Sequence, residues 1–203
     1  LLQGDVGTGK TIVAFITMCL VAKQKSQAAI MAPTEVLIKQ HYNNFIKYFE
    51  SLNLRIIIFT GSDKGKVRLE KLKKILNGSV DIIFGTHSLF QKDVFFNKLK
   101  LVVIDEQHKF GVKQRVEMAK KGKDLDILVM SATPIPRSLS FAKYGDLDFS
   151  EIREKPKERK KIKTIIISEN KIDKLVERIN FAILNGEKVY WVCPLIEESE
   201  RLN

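Results

Sequence analysis

Residues Gly4-Asp5-Val6-Gly7-Thr8-Gly9-Lys10-Thr11 spell G-x-x-x-x-G-K-[ST] without a misfit, and that octapeptide leaves a folding chain few options. Three glycines let a backbone turn tightly enough to aim successive N–H groups into one concavity. The short run Leu1-Leu2-Gln3 precedes the loop, and TIVAFITMCLVAK follows it as a helical pattern. The local structure predicted is strand, loop, helix, with the positive end of the helix facing the concavity. Phosphate fits such a place. Gly7, Thr8 and Gly9 supply backbone donors, Lys10 adds a compact charge for the β- and γ-phosphates, and the Thr11 hydroxyl is placed to ligate Mg²⁺. The ligand implied is a nucleoside triphosphate with its magnesium.

A second segment answers the first. Leu101-Val102-Val103-Ile104-Asp105-Glu106 is an apolar run that ends in two carboxylates, the pattern of a buried parallel strand whose C-terminal end enters a site. Asp105 is expected to hold Mg²⁺, and Glu106 to polarise the attacking water, which makes Lys10 and Glu106 the catalytic pair. An acidic strand-to-loop junction alone is common; paired with the phosphate loop it reads as a site for ATP or GTP.

Strands and helices alternate along the chain. Strands are predicted at Ala28–Ala32, Leu54–Phe59, Val80–Phe84, Leu101–Asp105 and Ile127–Met130, with helices at Val36–Phe49, Lys64–Asn77 and Val112–Lys121. Thr34 is a candidate N-cap, and Asn77-Gly78 a candidate helix stop. Alternation of this kind implies an α/β fold, a parallel sheet with helices on both faces and ligands at the carboxyl ends of the strands. Residues 1–150 make this first domain. Glu151–Lys163 is charged, carries Pro156 and shows no apolar period, so it reads as a linker. Residues 164–203 then open a second unit, with strand Thr164–Ser168, helix Lys171–Asn185 and strand Lys188–Val192. The abrupt start and the incomplete second unit are expected of a fragment of a larger protein.

The sequence has 203 residues and a net charge of +11, an excess that favours polyanions and above all nucleic acid. Dense basic stretches occur at Lys64–Lys74, Lys113–Lys123 and Arg153–Lys163, with Lys71, Lys73 and Lys74 read as a solvated helix face. No stretch is apolar enough to span a membrane, and the two cysteines, Cys19 and Cys193, are expected to be reduced thiols of a cytoplasmic protein. His41 and His87 form no constellation with them, so no structural metal is expected. Phe45, Tyr48 and Phe49 share a helical face and are read as core.

A phosphate-loop domain serves kinases, GTPases, transporters and motors alike. Two loops at strand ends, Ala32-Pro33-Thr34-Glu35 and Gly85-Thr86-His87-Ser88, carry small hydroxyl-bearing residues able to donate to a nucleic-acid backbone, making Thr34, Glu35, Thr86 and His87 candidate DNA contacts. Ser131-Ala132-Thr133 closes the strand beside the carboxylates, so Ser131 and Thr133 are candidates for relaying the state of the γ-phosphate.

Taken in order, GDVGTGKT, APTE, GTHSLF, DEQH and SATPIPR resemble motifs I, Ia, Ib, II and III of the superfamily 2 helicases. The longer strings MAPTEVLIKQHYNNF, VVIDEQHKFGVKQR, SATPIPRSL, YGDLDFSEI and VYWVCPLIEESE extend the likeness over almost the whole chain. Within the family they are similar to the branch-migration motors that remodel stalled forks. The transcription-repair coupling translocases are the neighbouring branch, and they typically show DEEH where this chain has DEQH. The family's usual Gly-Arg after the linker proline is replaced by Glu158-Arg159.

The resemblance implies a RecA-like first motor domain, the start of a second, and an ATP-driven translocase on branched double-stranded DNA acting in repair and recombination. It implies that Gln107 and His108 couple the γ-phosphate to domain closure. It also implies a monomer whose wedge domain and arginine finger lie elsewhere in the parent chain. A nucleic-acid-binding module without ATP turnover is the alternative of a different class.

Overall fold

Each central strand sends alternate side chains to opposite faces of one sheet, and both sets are buried. Ala28, Ile30, Ile82, Phe84, Leu101 and Val103 point into one apolar cluster, and Ala29, Met31, Ile83, Val102 and Ile104 into another. That period of two, apolar on both sides, is what a covered parallel sheet requires. The structure, a computed structural model, describes residues 1–105, 121–122, 124–132, 148–154 and 162–192. They fall in two units, Leu1–Arg159 and Lys160–Asn203.

In the first unit the elements run β1 (Leu2–Gly4), α1 (Lys10–Lys23), β2 (Gln27–Met31), α2 (Glu35–Phe49), β3 (Ile56–Phe59), α3 (Gly65–Leu76), β4 (Ile82–Gly85), β5 (Leu99–Asp105), β6 (Asp126–Ser131) and β7 (Ser150–Ile152). The seven strands form one sheet in the order β3-β4-β2-β5-β6-β1-β7, and every pairing is parallel. Helices α1 and α2 cover one face through Phe15, Met18, Ile38 and Phe45, and α3 covers the other through Ile75 and Leu72. Phe15 is the hub of the first cluster. Its ring meets Phe45 at 5.1 Å and Phe84 at 6.3 Å, both edge-on, as aromatic quadrupoles prefer. Among the described residues no helix is long and apolar enough to cross a membrane.

The helix ends follow their caps. Thr34 is extended, at φ −130°, and its side chain accepts from the Leu37 amide at 3.3 Å, which starts α2. Gly78, at φ +73°, stops the chain after α3, as its sequence suggests. At the opposite edge of the sheet Gln27 is a buried amide with all its capacity used. Its Nε2 donates to the Ile75 and Val80 carbonyls, and its Oε1 accepts from the Asn97 and Lys98 amides, at 2.9 to 3.2 Å. One side chain thus ties the turn after α3 to the entry of β5.

Three expectations need correction. The charged linker expected from Glu151 begins inside the sheet, because Gln3 pairs with Glu151 and Gly4 with Ile152 in β7. An open edge on β1 recruits three residues with no strand signature of their own. Tyr48 is not core: it is 58% exposed, with Lys47 Nζ lying 5.6 Å from its ring centroid. Lys71 is not simply solvated, since its Nζ pairs with Asp63 at 2.5 Å. The helix expected at Val112–Lys121 lies almost wholly outside the described residues, as does Cys193; Cys19 is a buried free thiol.

The second unit holds one described α-helix, α4 (Ile172–Leu184), which ends at Asn185 with Gly186 at φ +82°. The strands expected at Thr164–Ser168 and Lys188–Val192 do not form. Neither segment has a partner ladder among the described residues, and a strand is defined by that ladder.

Candidate functional site

Sheet order decides how the candidate residues meet. The carboxyl ends of β1, β6 and β5 lie side by side, since Leu2 is in register with Met130 and Met130 with Asp105. Two strand spacings, about 10 Å in all, separate the backbone entering the phosphate loop from the backbone of Asp105. Ser131, buried at the end of β6 and paired with Gln3, fills the position between them. The other half of the same edge, β2, β4 and β3, carries both loops read as DNA contacts.

The phosphate loop follows β1 with no room to spare. A Cβ on Gly4 would meet Thr8 Oγ1 at 2.6 Å and the Ile152 carbonyl at 3.0 Å. Gly9 occupies the left-handed region at φ +94°, which glycine tolerates without strain, and opens α1. No side chain caps that helix, and its first turn holds no acidic residue. Its N-terminal donors and the positive end of its dipole therefore face the loop, an arrangement that favours an anion. Thr8 Oγ1 donates to the Asp5 carbonyl at 2.8 Å, and Lys10 Nζ donates to the Gly4 and Asp5 carbonyls at 2.6 and 2.9 Å. The ammonium thus sits inside the concavity. Gly7 and Gly9 are exposed, while Thr8, Lys10 and Thr11 are half-buried. Thr11 and Asp105 offer a hydroxyl and a carboxylate, a hard oxygen set that suits Mg²⁺ and not a soft metal.

Asp105 carries a partner that the sequence reading passed over. His41 Nε2 lies 2.8 Å from Asp105 Oδ2, and the imidazole is buried on the inner face of α2. Its available signal is positional: Ile38, His41 and Phe45 form the buried stripe of α2, so a polar residue occupies a core position facing a strand end. Glu106, Gln107, His108 and Thr133 lie outside the described residues.

The DNA candidates are tied together by hydrogen bonds. Thr34 is exposed, and its hydroxyl hydrogen stays available while its oxygen caps α2. The Glu35 carboxylate accepts from the Ser62 amide and hydroxyl at 3.2 Å. Hydrogen bonds from the Thr60 and Ser62 hydroxyls hold its pKa below the usual range. Thr86 is buried, 3.3 Å from the Ser88 hydroxyl, which itself donates to the Phe59 carbonyl at 3.1 Å. His87 is half-buried with its ring edge-on to Phe90. The structure therefore adds the turn Thr60–Asp63 to the two loops expected, and hydrogen bonds join all three; of their hydroxyl-bearing residues Thr34 and Ser62 are exposed, whereas Thr60, Thr86 and Ser88 are buried.

A family model for DEAD/DEAH box helicases matches residues 1–141. Over its whole length the chain is 48% identical to the ATP-dependent DNA helicase RecG of Pasteurella multocida, and 43% identical to that of Bacillus subtilis. The chain spans about 30% of the length of these curated relatives. A solved structure of RecG bound to a three-way DNA junction superposes on 96% of the chain with a TM-score of 0.78 and 38% identity, the match covering 26% of that protein.

Proposed function

The chain belongs to the DEAD/DEAH box helicase family, and on that premise we propose that it is the first motor domain, with the opening of the second, of a RecG-type translocase that uses ATP to remodel branched double-stranded DNA. Residues 1–152, with β7 included, act as the ATP-binding domain, 153–163 as the link and 164–203 as the start of the partner domain. One observation carries the reading: a single sheet edge presents an uncapped helix N-terminus with Lys10 and Asp105 on one half, and hydroxyl-bearing loops joined by hydrogen bonds on the other. A metabolite kinase needs the first half only.

In this reading the α1 N-terminus and the amides of Gly7–Thr11 hold the β- and γ-phosphates, and Lys10 neutralises them. Thr11 and Asp105 hold Mg²⁺, which supplies charge neutralisation on the triphosphate when bound. Glu106 orients the attacking water and accepts its proton. Gln107, His108, Ser131 and Thr133 register whether the γ-phosphate is present. Thr34, Thr86 and His87 face the DNA backbone. Glu35 has only acceptors and serves by holding the Thr60–Asp63 turn in place through Ser62, while the Thr34 hydroxyl keeps its hydrogen for phosphate. Contacts of that kind make affinity fall steeply with salt and vary little with sequence.

RecG is favoured over a transcription-repair coupling translocase by DEQH at 105–108 and by the relatives that the chain matches end to end. The protein is expected to act as a cytoplasmic monomer. The test is DNA-stimulated ATPase activity, measured on the full-length parent and on residues 1–203 alone. The parent should be stimulated by forked duplex, and the shorter chain should hydrolyse ATP about 10³–10⁵ times more slowly, since an arginine finger from the partner domain is worth that much in comparable NTPases. Equal rates would overturn the two-domain mechanism. In the parent, Lys10→Ala should lose tight nucleotide binding, whereas Glu106→Gln should keep binding and lose turnover.

A further inference from the structure

The nucleotide half and the DNA half of the sheet edge are joined by one imidazole. His41 lies on α2, whose N-cap is Thr34 and whose first residue is Glu35, so the helix starts inside a loop read as a DNA contact. Six residues further on, about 9 Å along the helix axis, His41 Nε2 meets Asp105 Oδ2 at 2.8 Å. Its ring also stands edge-on to Phe15 of α1, at 6.3 Å and 86°. Phe15 is one turn beyond Thr11, on the helix that grows out of the phosphate loop. Three elements therefore converge on a single buried side chain: the helix of the phosphate loop, the strand of the magnesium carboxylate and the helix of the DNA loop.

The tautomer follows from the surroundings. His41 Nδ1 is buried and has no hydrogen-bond partner among the described residues. The contact to Asp105 needs a hydrogen on Nε2, because the other tautomer would point a lone pair at a carboxylate oxygen. The ring is thus a directed donor that fixes one oxygen of Asp105 and with it the orientation of the other.

Resting on the function proposed above, we infer that His41 is a positioning residue for Asp105 and the link by which α2 passes the state of the DNA loop to the magnesium site. A hydrogen bond of this type tolerates only a few tenths of an ångström, so a small shift or rotation of α2 on DNA binding changes the aim of Asp105. Reciprocity requires that a correctly held carboxylate in turn favour the DNA-bound setting of α2.

The experiment uses the full-length parent with His41→Leu, which keeps the bulk and removes the donor, His41→Asn, whose amide is too short to reach, and His41→Gln, whose Nε2 falls near that of the imidazole. Binding of a fluorescent ATP analogue is titrated with Mg²⁺. His41→Leu and His41→Asn should need about 10–100 times more Mg²⁺ to reach half of the magnesium-dependent gain in affinity, as loss of an outer-shell partner does elsewhere. Affinity in EDTA should be unchanged, and His41→Gln should recover most of the difference.

Affinity for a forked duplex is then measured with and without Mg²⁺ and a non-hydrolysable ATP analogue. In the wild-type protein the two affinities differ; in His41→Leu and His41→Asn their ratio should approach one, with affinity in the absence of nucleotide unaltered. A merely structural histidine would lower the melting temperature of all three variants and leave both ratios at their wild-type values, which overturns the inference. So does a Gln variant as impaired as the Leu variant. If the wild-type parent itself shows no magnesium-dependent nucleotide affinity, the proposed function is what fails.

Discussion

At residues 56–58 the tripeptide Ile-Ile-Ile lies in β3, in register with Ile82, Ile83 and Phe84 of β4, and its side chains join both apolar clusters. At residues 165–167 the same tripeptide forms no strand, and its side chains are 58%, 98% and 41% exposed. The helices beside them diverge in the same way: α2 buries Ile38, His41 and Phe45, whereas α4 buries none of its residues. β-propensity is therefore permission and not instruction. What it describes is a fit to a half-buried pleated surface, and the surface must be supplied by other residues.

The comparison breaks most directly under hydrogen exchange of residues 1–203. The amide of Ile57, which β3 turns toward β4, should be slower than those of Ile166 and Ile167 by a factor of about 10³ or more, since it opens only with the sheet. Similar rates would mean that β3 is not held by β4. In the full-length parent, where the second domain is proposed to be complete, Ile165–Ile167 should gain protection.

A pair of phenylalanines gives the next largest contrast. Phe15→Ala removes the hub of the aromatic cluster and should cost about 3–5 kcal/mol in chemical denaturation. Phe181, 69% exposed on α4, should cost less than about 0.5 kcal/mol when truncated in the same chain. Equal losses would contradict the difference in packing between the two units.

Gln27→Leu should destabilise the first unit by about 2–3 kcal/mol, because two amides and two carbonyls at the foot of the sheet lose a buried partner. No side chain described in the second unit plays a comparable part.

The smallest effect is electrostatic. Burial of Asp81 raises its pKa, but two hydrogen bonds from the Arg55 side chain, one from the Arg55 amide and its charge outweigh that and hold it below the usual value. A carboxyl with a depressed folded-state pKa stabilises the fold above its unfolded pKa and loses that contribution as pH falls through the folded one. Asp81→Asn should therefore lower stability by no more than about 1 kcal/mol at pH 7, and the difference should shrink as the pH falls through the folded-state pKa. A cost that persists in acid would show that packing, not charge, is at work.

These contrasts also explain what could be read from the chain beforehand. The phosphate loop, the Asp105 strand and the caps at Thr34 and Gly78 were legible because each rests on a local rule of backbone geometry or periodicity. Ser150–Ile152 was not: nothing in Ser-Glu-Ile announces a strand, and it becomes one only because β1 offers an open edge. Gln27 and His41 were missed because both look like ordinary polar residues until the topology brings carbonyls to the first and a carboxylate to the second. The absent strands at 164–168 and 188–192 mark the same limit from the other side, since their composition was right and their partner was not among the described residues.

The position of β1 has a consequence for how such a domain is made. Its partners are Met130 and Ser131 on one side and residues 150–152 on the other, so its pairings lie roughly 130 to 150 residues downstream. Contacts this distant in sequence form late, because a long loop must close before they give any return. A ribosome adding about 5–20 residues per second leaves the phosphate loop waiting roughly 6–30 s for its neighbours. Strands β2 to β5, close in sequence, can collect first, and the loop is seated only when the last strands arrive. Nucleotide binding then certifies that β1 has been seated: a product released before residue 130 carries the entire phosphate-binding motif and lacks both strands that flank it.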